Sequence, residues 1–185
     1  MNISFVKKTS LAIILIASIA SCKSEKTEKL LVEIDQLITE VDSSNIVFKS
    51  IDTASISTAK LYAESQLDYL KEFNTDTTYK KARFIDVYNS NFKLMRKLLS
   101  SYSRLGSEIE YSKNQLTHLS NDVKNGLAAD STYIKYFNGE KKAVETIKVT
   151  AKSFKDWETR SINRYNGMVL PIDTIITDLK KQGYR

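Results

Sequence analysis

With a single cysteine, Cys22, the chain can form no intramolecular disulfide and no cysteine-based metal site. One histidine, His118, cannot supply the two Glu-x-x-His pairs of a ferritin-like carboxylate centre or the ligands of a typical zinc enzyme. Gly-rich phosphate loops, haem-attachment motifs and Glu-x-x-His pairs are all missing. One proline, Pro171, and five glycines leave few interruptions, and Lys, Glu, Leu and Ala abound, so the composition favours helix. No stretch alternates apolar and polar residues between turn signals as a strand would. An apolar run does occur at the N-terminus, Leu11 to Ala20 (LAIILIASIA). As a helix its ten residues would span about 15 Å, well short of the ~20 residues a bilayer core requires.

Lys7 and Lys8 precede that run, and Ile19-Ala20-Ser21-Cys22 closes it. A basic n-region, a short apolar h-region and small residues before a cut form an export signal. The final four residues resemble the lipobox of bacterial lipoproteins. That resemblance covers residues 1–22 and implies a diacylglyceryl group on the Cys22 thiol, cleavage before Cys22 and acylation of the new amine. Two or more acyl chains give durable membrane residence. Lys23 is not the aspartate that, in that family, retains lipoproteins at the inner membrane, so the resemblance points to the outer membrane, facing periplasm or surface. The expected organisation is a cleaved signal over 1–21, a lipidated cysteine with a short charged tether over 22–29, and one domain over 30–185.

Without 1–21 the chain carries 26 basic and 22 acidic side chains, net +4. Residues 24–74 are net −5, residues 75–130 net +3 and residues 131–185 net +5. Segments of opposite sign attract when packed side by side. The basic balance is therefore better explained by an internally compensated bundle than by nucleic-acid binding.

From Glu25 onward apolar residues recur at helical spacing. Leu30, Ile34, Leu37, Val41, Phe48 and Ile51 form one stripe, with Ser44 in its vacant place, and Ile56, Ala59, Ala63, Leu67 and Leu70 continue it to Phe73. Asp52-Thr53 can cap a fresh helix start. Asn74-Thr75-Asp76-Thr77 reads as a turn. Ala82, Ile85, Phe92, Met95, Leu99 and Tyr102 form the next stripe, followed by Ile109, Leu116, Leu119 and Val123. Gly106 is a candidate interruption, with Ser107 and Glu110 at capping-box spacing beyond it. Asn125-Gly126 is a helix stop. Ile134, Phe137, Val144, Ile147, Ala151, Phe154 and Trp157 mark a third stripe. Asn166-Gly167 and Pro171 predict a break before a last helix near 171–181 carrying Ile172, Ile175, Ile176 and Leu179.

The expected fold is all-α: an elongated antiparallel helical bundle of three arms, or five to six helices if the arms break at 52–55, 106 and 167. His118 is expected at the surface or the core boundary rather than as a general base, Trp157 in the core, and Glu108 with Glu110 at a helix N-terminus rather than as an acid–base pair. Tyr133 and Tyr136 are expected to straddle the boundary of a core that holds Phe137; stacking on a flat ligand is the sharper alternative. Lys141, Lys142, Lys148, Lys152 and Lys155, interleaved by Glu140, Glu145 and Asp156, read as a solvated helix side. No cofactor, metal or nucleic-acid partner is expected. The functional reading is a lipid-anchored, non-enzymatic envelope protein that binds a protein partner or acts as a spacer, the alternative being a small-ligand or glycan-binding lipoprotein. If arm one runs outward from Cys22, the distal tip joins Asn74, Asp76, Tyr79, Tyr184 and Arg185 as a candidate partner contact.

Overall fold

A computed structural model describes residues 25–72, 79–127 and 130–182. Among these residues all regular structure is helical: α1 (Glu25–Lys49), α2 (Thr53–Lys71), α3 (Tyr79–Asn125) and α4 (Asp130–Lys181). α3 and α4, with 47 and 52 residues, are about 70 and 78 Å long at 1.5 Å per residue. They pack along each other, and α1 and α2 each pack against both, whereas α1 and α2 make no packing contact with one another. Cross-contacts give the directions. Glu40, Asp52 and Gln66 meet Lys148, Glu158 and Asp173 in rising order, so α1 and α2 run with α4. Asp42 meets Lys113 and Gln66 meets Tyr88, so both run against α3.

The core obeys a seven-residue repeat. In α3 the buried seam runs through Tyr88, Asn91, Met95, Leu98, Leu105, Ile109, Ser112, Leu116, Leu119 and Val123, spaced by threes and fours with half-buried Tyr102 in register and Ser120 buried beside it. α4 repeats the pattern through Tyr133, Phe137, Val144, Ile147, Ala151, Phe154, Glu158, Ser161, Met168 and Ile172. Alternating three- and four-residue steps keep one seam of a helix facing its neighbours only if the helices wind gently around each other. The stripes expected along α1 and α2 are buried from Ile34 to Leu70, with Leu30 half-buried and Phe73 outside the described residues. In the first half of α3 the seam is rotated from expectation: Ile85, Phe92 and Leu99 are half-buried, and the core places go to Tyr88, Asn91 and Leu98.

The chain breaks at Ser50–Asp52. Asp52 caps α2, its Oδ1 accepting from the Ser55 N–H at 2.9 Å. α4 fastens the interruption from the side. Glu158 Oε1 accepts from the Asp52 N–H at 3.1 Å, and Lys155 Nζ donates to the Ser50 carbonyl at 2.8 Å. Lys155 Nζ also sits 2.6 Å from Glu158 Oε2, a charge contact without hydrogen-bond alignment. Backbone groups that a helix end leaves unpaired are thus met by two α4 side chains.

The other expected breaks are absent. Gly106 lies inside α3, and a Cβ there would stand 3.0 Å from Phe48 Cζ. Its lack of a side chain seats the Phe48 ring, which stacks on Tyr102 at 4.2 Å between centroids. Ser107 does not cap a helix; its hydroxyl bonds the Ser103 carbonyl at 3.2 Å. Glu108 and Glu110 are consequently mid-helix and exposed, with Glu108 3.8 Å from Arg104. Asn166, Gly167 and Pro171 all lie within α4, so no separate last helix exists. Pro171 is exposed, and packing of Met168 and Ile172 on either side of it carries the helix across the lost hydrogen bond. Gly126, with φ +64°, ends α3 in the left-handed conformation expected of Asn125-Gly126.

Candidate functional site

Two features have more internal organisation than a solvated helix side. The first is a groove between α1 and α4. One stretch, about 550 Å³, is lined by Thr39, Glu40, Ser43, Ser44 and Val47 opposite Lys148, Ala151, Lys152, Lys155 and Asp156. A second, about 530 Å³, continues it toward Leu37, Asn138, Lys141, Lys142 and Glu145, sharing Glu40 and Lys148. Small residues make the depression. Ser44 and Ala151 occupy seam positions where larger side chains would fill it. The lysines expected to form a solvated side line one wall. Lys148 meets Glu40 at 3.3 Å and Glu145 at 3.9 Å, and Lys155 is held by the α1–α2 joint. The wall is therefore half-neutralised, and it offers cationic tips over an apolar floor.

The second feature is a polar chain through the core near the far end of α2. The Tyr88 hydroxyl donates to Gln66 Oε1, and Gln66 Nε2 donates to Asp173 Oδ1 at 2.6 Å. Tyr62 donates to the same carboxylate at 3.1 Å from the exposed side. Tyr165 stacks beside Tyr88 with centroids 6.3 Å apart. Burial raises the pKa of the Tyr88 and Tyr165 phenols, while the bond to Asp173 is the main cause of the rise at Tyr62. The Tyr88 and Tyr62 hydroxyls act as donors. One layer away, Asn91 Nδ2 donates to the Ser161 carbonyl at 2.9 Å. Polar residues that satisfy one another only in one alignment specify register in a coiled coil.

The residues singled out from sequence separate clearly. Cys22, Asn74, Asp76, Tyr184 and Arg185 lie outside the described residues, and Tyr79 is the first residue of α3. The last turns of α2 and α4 are adjacent, with Lys180 Nζ 5.1 Å from the Tyr69 ring centroid. His118 is exposed. Trp157 is half-buried, stacked on Phe154 at 5.5 Å with Lys97 Nζ 5.9 Å from its ring. Phe137 is core. Tyr133 is buried rather than at the boundary, its hydroxyl donating to the Asp122 carbonyl at 2.8 Å, whereas Tyr136 is exposed. Neither is placed to stack a ligand with the other. Among the described residues no group of three or more His, Cys, Asp or Glu side chains could hold a metal ion, and no helix is long and apolar enough to cross a membrane. No protein-family model matches the chain, and no curated protein or solved structure is significantly similar to it.

Proposed function

We propose that the chain is a lipid-anchored, non-enzymatic protein of the cell envelope, tethered through Cys22 to the outer membrane, and that it serves as a spacer presenting a surface to a protein partner. The observation that carries the reading is Ile19-Ala20-Ser21-Cys22 directly behind an apolar ten-residue run, with helix α1 beginning only three residues later at Glu25. The helix thus starts inside the stretch 22–29 and leaves little slack between membrane and bundle.

In this account α1 and α2 form one interrupted arm leaving the membrane, α3 returns, and α4 leaves again. What supports three arms is that α1 and α2 each pack against both α3 and α4 and not against one another. The distal tip then gathers Asn74, Asp76, Tyr79, Tyr184 and Arg185, a polar and aromatic mixture suited to a partner contact. The α1–α4 groove is the second candidate surface. Its volume, about 550 Å³, is what favours the alternative of a small-ligand or glycan-binding lipoprotein. Against that alternative, Tyr133, one of the two tyrosines suited to stack a sugar ring, is buried in the core.

Cys22→Ala tests the anchor. The exported variant should move from the membrane to the soluble fraction of an envelope preparation. Undiminished membrane retention of that variant in a carbonate wash would overturn the reading.

A further inference from the structure

The bundle end from which the lipid tether departs is ringed by apolar side chains. Lys26, Thr27 and Leu30 of α1, Val123 of α3, and Tyr133 and Ile134 of α4 surround one small cavity of about 120 Å³, so the start of α1 and the α3–α4 corner lie together. Around this end Leu127 is 69% exposed, Ile134 52% and Tyr136 60%. Other exposed apolar residues, such as Ile46, Tyr111 and Val149, lie along the helices away from this end, which is ordinary for a protein surface. The three at this end differ in placement. Ile134 and Tyr136 lie within about 9 Å of the start of α4 at 1.5 Å per residue, and they flank the seam on opposite sides, so they encircle the end rather than mark one face.

We infer that this end dips into the headgroup region of the anchoring membrane, with Leu127, Ile134 and Tyr136 as its lipid contacts. The inference rests on the Cys22 anchor proposed above. Three residue steps from Cys22 to Glu25 reach at most about 11 Å, so an acylated Cys22 holds the ring against the bilayer surface. Interfacial helices bury apolar side chains about 5–10 Å deep, which is the height of the ring, and tyrosine is enriched at that level. Tethering supplies the local concentration that three side chains alone would lack. Charge contributes little: Lys26, Lys29, Lys124 and Lys135 are nearly balanced by Glu25, Glu28 and Asp122. Contact should therefore survive high salt. The tyrosine hydroxyl bond from α4 back to Asp122 stiffens the corner that carries Leu127.

The test uses the full lipidated protein reconstituted in phosphatidylethanolamine–phosphatidylglycerol vesicles. Leu127→Cys, Tyr136→Cys and, as an equally apolar control on α2, Leu61→Cys carry a polarity-sensitive fluorophore. Leu61 is 59% exposed. Labels at 127 and 136 should be quenched by shallow nitroxide lipids at least twofold more than the label at 61, and unchanged in molar salt. Equal quenching at all three positions overturns the inference, as does shielding at 127 and 136 that depends on protein concentration and not on nitroxide lipid, which would mean a second copy covers this end. Wild-type protein with a thiol reactive to maleimide would show Cys22 unacylated and remove the anchor and the inference together. Acylated wild-type with water-exposed labels would remove the inference alone.

Discussion

Replacing Gly106 by alanine sets two effects of known size against each other. In a helix interior Gly→Ala is ordinarily stabilising by about 1 kcal/mol. At Gly106 the new methyl would stand 3.0 Å from Phe48 Cζ and 3.3 Å from Cε1. The ring would have to retreat by several tenths of an ångström, and it is 8% exposed and stacked on Tyr102. Overpacking a filled core costs about 1–3 kcal/mol. Gly106→Ala should therefore be destabilising by up to about 2 kcal/mol, the excess of that cost over the propensity gain. Gly139 is the internal control, since it is also within a helix and a Cβ there meets nothing within 4 Å. Gly139→Ala should be stabilising by up to about 1 kcal/mol. Urea unfolding of the mature chain reads both, and thermal midpoints should separate by about 2–4 °C per kcal/mol at this size. Phe48→Leu in the Gly106→Ala background should recover part of the loss, because the two side chains would compete for one space. A Gly106→Ala gain equal to that of Gly139→Ala would refute the seating of Phe48 over Gly106.

Two further outcomes follow from the polar positions. Glu158→Ala removes the acceptor of the Asp52 N–H and the partner of Lys155; it should cost about 1.5–3 kcal/mol and speed amide exchange at Asp52 to Ile56, whereas unchanged protection there would mean α4 does not hold the joint. Burial raises the pKa of Glu140, opposed by the Ser112 hydroxyl. The folded chain then holds that proton more tightly than the unfolded one, so the contribution is complete below the ordinary glutamate pKa and lost as pH rises through the folded value. Glu140→Gln should gain on wild type over that window and then level off; a difference in unfolding free energy that does not vary with pH would contradict it.

Much of the architecture was legible because burial here follows hydropathy. In α1, Ile34, Leu37, Val41 and Phe48 repeat at seam spacing, and no polar residue competes except Ser44, whose hydroxyl bonds the Glu40 carbonyl at 2.8 Å. The reading slipped where the seam is polar. Tyr88 and Asn91 carry the core of early α3 only because Gln66 and the Ser161 carbonyl receive their donors across the bundle. Those partners are 22 and 70 residues distant, and no local pattern reveals them. Gly106 and Pro171 misled for a related reason. Each is a helix breaker by intrinsic preference, yet Phe48 packing at one and flanking buried residues at the other outweigh a local cost of about 1–3 kcal/mol. The α1–α4 groove was hidden because it is made of what is small, Ser43, Ser44 and Ala151, and its lysine wall reads along α4 as ordinary solvated charge. The proposed anchor rests on sequence alone, because Ile19-Ala20-Ser21-Cys22 lies outside the described residues.

The mass of the mature N-terminus bears most directly on the central claim. The chain should be recovered from envelope membranes beginning at Cys22, with the N-terminal peptide heavier than its sequence by a diacylglyceryl group and an added acyl chain. A mature chain beginning elsewhere, or a Cys22 peptide at its unmodified mass, would contradict the account.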